Sequence, residues 1–426
     1  MVSIKKEYPV ITQTIKKISE IFTGEDARIA KVFENCISDT IQKTIHVLED
    51  GSVFVITGDI PAMWLRDSAC QLTPFIRFAK DDKDILELLT VLSDKQVEQI
   101  LLDPYANAFQ AKEDPNSIWM KDKTEMKPIL WERKYEVDSL THPILMQWNL
   151  WKMSGSTAHF TEEWRKAARL IISTFRTEQN HEENSVYRFE RADCVFTDTL
   201  SREGKGALVK GNTGLIWSGF RPSDDACVYG YNIPENMQAA VALEHIAEIA
   251  ETVYGDQVLA KDAKALAGEV REAIAKYAFV PQKDYYAYEV DGFGQYLVMD
   301  DANMPSLLAM PYFGWCRKDD PAYLATRKVL LSSLNPYYYT GDAISGIGSP
   351  HTPEDYVWDI AVAVQGLTST SKQEQLECIR MMERNDNGTL QMHEGIHVNN
   401  PAEYTRPWFS WANSMFCELV LQYCGI

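Results

Sequence analysis

Residues 26–48 read DARIAKVFENCISDTIQKTIHVL. Apolar side chains fall at Ile29, Val32, Phe33, Cys36, Ile37, Ile41, Ile45 and Leu48, a 3.6-residue period that predicts one amphipathic helix across the stretch. The same period returns around Ile85–Leu92 and over Ser139–Met153, Thr161–Phe175, Pro234–Tyr254, Asp256–Tyr277 and Tyr356–Leu367. It returns again in a final helix carrying Trp408, Trp411, Ala412, Met415, Phe416, Leu419 and Val420. That last stripe is too wide for a surface helix and needs a large surface to pack on. Strand signals are short. Ser52–Thr57 (SVFVIT) and Tyr285–Val290 (YYAYEV) are the best of them.

About a dozen helices, one roughly every 35 residues, come without an exact repeat and without a Ser- or Pro-rich linker. A closed ring accommodates this better than two domains. A helical solenoid is the alternative, and it should show self-similarity. We therefore expect an all-α (α/α)6 barrel, a helical toroid with a few short strands in its loops, over a single domain 1–426.

The bulk numbers bound the function. In 426 residues, 45% are apolar and 24% charged, a globular composition. Asp and Glu number 61 against 42 Lys and Arg, a formal charge of −19. With no basic block, nucleic acid and anionic membrane are poor partners, whereas a neutral ligand fits. No apolar run nears the ~20 residues of a membrane span. The opening MVSIKKEYPVITQT has no hydrophobic stretch behind its lysines, so it does not read as a secretory signal. Eight scattered cysteines without a CxxC pair suit a reduced, cytoplasmic chain with no thiolate zinc site. No Walker loop, strand–GxGxxG–helix or GxSxG elbow occurs.

The loops carry Trp, Arg, Asp, His and Asn where plain connectors would carry Gly, Pro, Ser and Lys, and binding residues concentrate on such loops. In GDIPAMWLRDS (58–68), Trp64 offers an apolar wall, and Arg66 beside Asp67 can donate to and accept from vicinal hydroxyls. An Arg cap followed by an Asp in a first helical turn is the plainer reading. In GLIWSGFRPSDDACVYGYNIPEN (214–236), Asp224 and Asp225 are neighbours among aromatics. A carboxyl near another, or in an apolar setting, holds its proton longer, as a general acid requires. A simple N-cap by Ser223 or Asp224 competes with this.

In QMHEGIHVNNPAEYTRPWFSW (391–411), Glu394 stands among histidines and aromatics as a candidate base. His393 and His397 have the spacing of a zinc-binding H-E-x-x-H pair. Gly395 and Asn399–Asn400–Pro401 disfavour the helix such a site needs, so no metal is expected. Lesser candidates are Asp138, His142, Asp301, Asn303 and His351. Each is a polar residue beside aromatics, and a lone His is more often structural. Asp300 and Asp301 lack calcium-loop spacing.

Taken together and in this order, GDIPAMWLRDS, GFRPSDD, GYNIPEN, DDANMPSLL, GIGSPHTP and HEGIHV–PxxYTRPWFSWANS resemble glycoside hydrolase family 125 from about residue 40 to the C-terminus. The resemblance implies an (α/α)6 barrel and an inverting, metal-independent exo-α-1,6-mannosidase without cofactor. It also implies a neutral mannose oligosaccharide as substrate and no protein partner. Arg66 and Asp67 become a clamp on the terminal mannose, with Trp64, Asp138, His142, Arg221, Tyr231, Asn303 and His351 as further sugar-binding candidates. Asp224 is implied as general acid, with Asp225 as the alternative, and Glu394 as general base. Inversion needs those two carboxyls roughly 6.5–9.5 Å apart across the sugar. Residues so distant in the chain meet only if separate loops converge on one end of the barrel. A catalytically silent sugar-binding toroid, or another inverting glycosidase such as an α-glucosidase, is the competing expectation.

Overall fold

The computed structural model describes residues 4, 5 and 7–426; the N-terminal residues 1–3 and 6, part of the stretch read above for a signal, lie outside the described residues. Helices α1 (Pro9–Ile21) and α2 (Ala27–Asp39) open the chain. They are followed by α3 (Leu65–Ile76), α4 (Lys83–Leu102), α5 (Val137–Ser154) and α6 (Glu162–Glu178). Next come α7 (Ile233–Ile249), α8 (Gln257–Tyr277) and α9 (Pro321–Leu330). The chain closes with α10 (Asp359–Leu367), α11 (Lys372–Arg384) and α12 (Ser410–Cys424).

These helices form an (α/α)6 barrel. In the inner ring α12 packs on α3, α3 on α5, α5 on α7 and α10 on α12. Helices α4, α6, α8, α9, α11 and α2 form the outer layer. Sequence pattern sorts the two rings. Helix α7 (IPENMQAAVALEHIAEI) is buried along almost its whole length and on nearly every side, polar residues of its first turns included, whereas α6 buries one stripe of Trp164, Ala167, Ala168, Ile171, Ile172 and Phe175. The fourth inner position is short. Ser306–Phe313 makes only i→i+3 and i→i+4 turns, and the Asp300 carboxylate caps it by accepting from Leu307 N at 2.8 Å and Leu308 N at 2.9 Å. Asp300, which lacks calcium-loop spacing, thus serves as a cap.

Three small antiparallel sheets sit on the inner-helix N-termini. Met63–Trp64 leads into α3, Tyr231–Asn232 into α7 and Tyr356–Trp358 into α10. Each strand delivers its helix with the N-terminus facing the same end of the barrel. Acidic residues occupy the first turns of α3, α5, α7 and α10: Asp67, Asp138, Glu235 and Asp359. Unpaired N–H groups and the positive dipole end favour negative charge there.

Several boundaries differ from the periodic reading. The helix expected over 26–48 ends at Asp39. A wide turn, Thr40–Thr44, follows, and Ile45–Val47 pairs with Val53–Val55. Thr40 Oγ1 donates to Cys36 O and Thr44 Oγ1 to Thr40 O, so the hydroxyls compete with the helical ladder where a β-branched run begins. Tyr356–Trp358 is strand, not helix, because it pairs with Gly395–His397. In Tyr285–Val290 only Glu289 and Val290 join a ladder, between Tyr231–Asn232 and Tyr296–Leu297. Trp408 stands outside the last helix, its indole N–H donating to Asp39 Oδ2 at 2.6 Å. No helix among the described residues is long and apolar enough to cross a membrane. The eight cysteines are unpaired.

Candidate active site

At the end of the barrel where the inner N-termini gather, a pocket of about 140 Å³ is lined by Trp64, Arg66, Asp67, Ser223, Asp224, Asn303, His351, Trp358, Glu394, Arg406, Phe409 and Trp411. That is room for roughly ten water-sized positions, on the scale of one pyranose ring. A larger cavity of about 480 Å³ lies among α3, α5 and α7 and the short fourth turn, lined by side chains such as Cys70, Met146 and His245. The loop chemistry is in the smaller one.

The first wall is the strand–helix junction. Its approach is fixed at Gly58, whose φ of +128° and contact with Trp408 leave no room for a side chain; a Cβ there would sit 2.3 Å from the Trp408 carbonyl oxygen. Gly58 bridges Phe409, and so ties this wall to the third.

The second wall is the turn Arg221–Ala226. Arg221 N donates to Asp225 O and Asp224 N to Arg221 O, which forces Asp224 to φ +69°. An L-residue holds that conformation only when its surroundings over-determine it. Here Ser223 Oγ donates to Asp301 Oδ2 (2.6 Å), Asn303 Nδ2 to Pro222 O (2.9 Å) and Lys134 Nζ to Asp224 O (2.8 Å). Arg221 itself is buried in an ion pair with Glu289, whose second oxygen accepts from Val228 N and Tyr229 N.

The third wall holds Glu394. Its backbone pairs with Thr405, and Arg406 Nη1 lies 3.9 Å from its carboxylate. Arg406 is in turn anchored on Asp59 and Thr57.

Beneath the pocket Arg66, only 2% exposed, is surrounded by carboxylates. Its Nε donates to Asp67 (3.1 Å), Nη1 to Glu136 (2.9 Å) and Asp138 (3.4 Å), and Nη2 reaches Asp224 (3.5 Å). The guanidinium also lies 5.6 Å from the Trp411 ring centre. Burial would raise Asp224, but Arg66, a hydrogen bond from Glu136 and the Lys134 charge prevail and hold it well below the usual carboxylate range. Glu136 moves the other way, well up, through burial and the neighbouring charges of Asp224 and Asp138. Burial also raises Asp67, and lifts Asp138 to about 6. At the rim, His351 Nδ1 is 3.0 Å from Asp225 Oδ1. Burial would lower this imidazole, yet the Asp225 hydrogen bond and the charges of Asp225, Glu394 and Asp224 push it up to about 9.

The model of the metal-independent alpha-mannosidase family, GH125, matches residues 26–421. The chain belongs to glycoside hydrolase family 125. A solved Streptococcus pneumoniae structure, described among metal-independent alpha mannosidases and holding alpha-1,6-mannobiose in a non-productive complex, is 44% identical. It covers 99% of both chains with a TM-score of 0.95. The meiotically up-regulated gene 157 protein of Schizosaccharomyces pombe is 38% identical over 96% of this chain and 85% of its own. A bacterial glucoamylase complexed with acarbose is 12% identical at TM-score 0.59, over 97% of this chain and 58% of that one, and shares the fold alone.

Against this GH125 framework, the sequence candidates separate by depth. Trp64, Asp67, Asp224, Asn303, His351 and Glu394 line the pocket, and so does Arg66. Asp225 does not: its side chain is 3% exposed and turned to His351. Four other candidates stand outside the pocket lining. Asp138 is wholly buried below Arg66, and the same layer holds His142. His142 packs Nδ1 against Cys70 Sγ and Nε2 against Met304 O, and burial lowers it to about 3, a neutral imidazole. Tyr231 spends its hydroxyl on Lys210 O. Arg221 braces the turn that carries Asp224 through Glu289. Two readings of mechanism also change. Arg66 turns Nε and Nη1 to carboxylates of the floor, and only Nη2, with one 3.5 Å contact to Asp224, is left to reach a hydroxyl. Asp224 has a carboxyl neighbour in Glu136, one of the two settings expected to keep it protonated, but Arg66 and Lys134 pull it the other way. Among the described residues no group of three or more His, Cys, Asp and Glu could hold a metal ion. His393 is stacked on Tyr404, and His397 ends a strand.

Sequence reading missed Glu136, Arg406, Trp358, Phe409 and Trp411. Glu136 is the last residue before α5, two positions from the Asp138 that was noticed. A carboxyl at a helix start is the signal that would have found it.

Proposed function

We propose that this chain is an exo-α-1,6-mannosidase that inverts the anomeric centre and works without a metal ion. Membership of GH125, together with a one-ring pocket carrying Asp224 and Glu394 on separate walls, supports this most directly. A pocket of that size accepts a single non-reducing terminal sugar, which makes the action exo. Asp224, on the strained turn, protonates the glycosidic oxygen as the C1–O bond breaks. Glu394 takes a proton from a water that attacks C1 from the opposite face. Positive charge developing on the sugar is met by Asp67 and the other carboxylates of the floor. Asp67 accepts from Arg66 at one oxygen, leaving the other for a sugar hydroxyl. Trp64, Trp411 and Phe409 form the apolar walls.

We read residues 1–426 as one catalytic unit acting in the cytoplasm on manno-oligosaccharides or N-glycan fragments, a setting that suits eight unpaired thiols. The test is hydrolysis of a panel of α-linked mannobioses and glucobioses with and without EDTA. The reading expects release of mannose from the α-1,6-linked dimer, unchanged by chelator. No hydrolysis of any α-mannoside, or activity lost to EDTA and restored by calcium or zinc, would contradict it.

A further inference from the structure

The charge around Arg66 does not balance as drawn. Asp67, Glu136, Asp138 and Asp224 all reach the one guanidinium, and Glu235, from the first turn of α7, lies beneath them. Glu136, Asp138 and Glu235 are 0–1% exposed. The cations facing this group are few. Lys134 is committed to Asp198, Glu132 and the Asp224 carbonyl; Arg406 stands beyond Asp67, and His351 stands at the rim with Asp225. The remaining neighbours of the cluster are neutral: Asn107 and Ser139, which donate to Glu136, and the uncharged imidazole of His142, 3.9 Å from Asp138. A cluster of five carboxyls, four of them on one Arg and three of them 0–1% exposed, carries protons, because two carboxylates in contact and shielded from water ionise together only at high cost.

The contacts say where the protons sit. Asp138 Oδ1 and both oxygens of Glu235 have no donor, and the two groups are neighbours. A proton on one satisfies the other. Glu136 presents the second pair. Its Oε2 accepts from Arg66 and from Ser139 Oγ, both at 2.9 Å, and its Oε1 accepts only a 3.3 Å contact from Asn107. Glu136 and Asp224 accept from the two ends of one guanidinium, Nη1 at 2.9 Å and Nη2 at 3.5 Å, which sets the two carboxyls side by side so that a proton on one can be shared with the other.

We propose that Glu136 is the proton partner of Asp224: the two carboxyls hold one proton between them, resting on Glu136 in the empty site and passed through Asp224 to the leaving oxygen. Glu136 touches no substrate, so it is a positioning residue acting through Asp224. The inference rests on Asp224 being the acid. The balance is simple. Glu136–OH gives its proton to Asp224, and Asp224–OH gives one to the glycosidic oxygen as that oxygen takes the C1–O electron pair. Glu394 takes one proton from the attacking water. After product release Glu394 returns its proton to solvent and the Glu136–Asp224 pair regains one. An acid gripped by Arg66 and Lys134 would otherwise stand ionised at neutral pH with nothing to donate. The pair also makes the apparent pKa of the acid a property of two residues.

The test is Glu136→Gln, read on two substrates across pH. Glutamine keeps a donor towards Asp224 but brings no transferable proton. Hydrolysis of α-1,6-mannobiose should fall by about 10²–10⁴-fold, the usual worth of a general acid. Its alkaline limb should move to lower pH. Hydrolysis of α-mannosyl fluoride, whose leaving group needs no proton, should change by only a few-fold. Equal losses on both substrates with an unmoved pH profile would mean a structural role and overturn the proposal. Should Glu136→Gln fail to fold, Glu136→Asp decides. It retains the proton and should keep the parent's mannobiose-to-fluoride ratio and alkaline limb; a collapsed ratio in that variant refutes the idea. If Asp224→Asn itself lacks leaving-group dependence, the acid assignment fails, a different result from a normal Asp224→Asn with an unresponsive Glu136.

Discussion

Replacing Arg66 with Met distinguishes a sugar clamp from a charge hub. Methionine keeps an apolar stem of similar reach against Trp411 and removes only the guanidinium. The structure then leaves Asp67, Glu136, Asp138 and Asp224 facing one another, three of them almost fully buried. Removing one partner of a buried ion pair costs about 3–5 kcal/mol. Unfolding entropy of about 2.1 cal/mol/K per residue amounts to about 0.9 kcal/mol/K for a chain of this length, so the melting temperature should fall by about 3–6 °C at pH 7.5. The pH dependence is the sharper sign. Without the cation these carboxyls take up protons in the folded state at higher pH than in the parent. A folded state that binds more protons than the unfolded chain gains stability as pH falls. The deficit of Arg66→Met should therefore shrink between pH 7.5 and 5. Thermal melts of parent and variant at both values, followed by circular dichroism, measure it. A variant with parental melting temperature and impaired catalysis alone would refute the hub and restore the clamp. So would a deficit that grows on acidification.

Other outcomes follow from the same geometry. Asp224→Asn should lose about 10²–10⁴-fold on mannobiose while largely sparing α-mannosyl fluoride, and Glu394→Gln should damage both, since water must be activated whichever group leaves. Steady-state kinetics on the two substrates check this; if Asp225→Asn shows the leaving-group dependence instead, the acid moves by one residue. His351, held up to about 9 by Asp225, contributes stability that is fully present below its ordinary value near 6.5 and lost as pH rises through about 9. Melting curves of parent and His351→Gln should thus differ at pH 6 and converge above pH 9. Curves that diverge with rising pH would reverse the sign of that pairing.

What the sequence made legible is what periodicity and loop composition carry. Helices buried on one stripe, such as α6, and those buried all round, such as α7, both announce themselves. Boundaries failed where tertiary pairing overrode local preference. Tyr356–Trp358 continues a helical pattern but is drawn into a sheet by Gly395–His397, a partner that no local window contains. The pocket liners Trp64, Asp67, Asp224 and Glu394 stood out because polar and aromatic side chains in loops have few other reasons to be there. Depth was not legible. Arg66 and Asp138 look alike in sequence to any surface charge, and only the convergence of α3 and α5 buries them together. Tyr231 and Arg221 read as sugar ligands in sequence, but their polar groups meet the Lys210 carbonyl and the Glu289 carboxylate, partners in distant segments that no local window contains. Glu136 escaped because its meaning depends on Asp224, a neighbour 88 positions further along the chain that only the fold brings beside it on Arg66.

The central claim is single-displacement hydrolysis at a terminal α-1,6-mannose, and the configuration of the first-formed sugar tests it. The enzyme is added to α-1,6-mannobiose in heavy water with EDTA, and the anomeric proton signals are followed by NMR from the first minute. The account predicts that the mannose released from the non-reducing end appears first as the β-anomer, the α-anomer growing in only at the rate of mutarotation. Initial appearance of α-mannose would mean a covalent, retaining mechanism, and would contradict the roles given to Asp224 and Glu394.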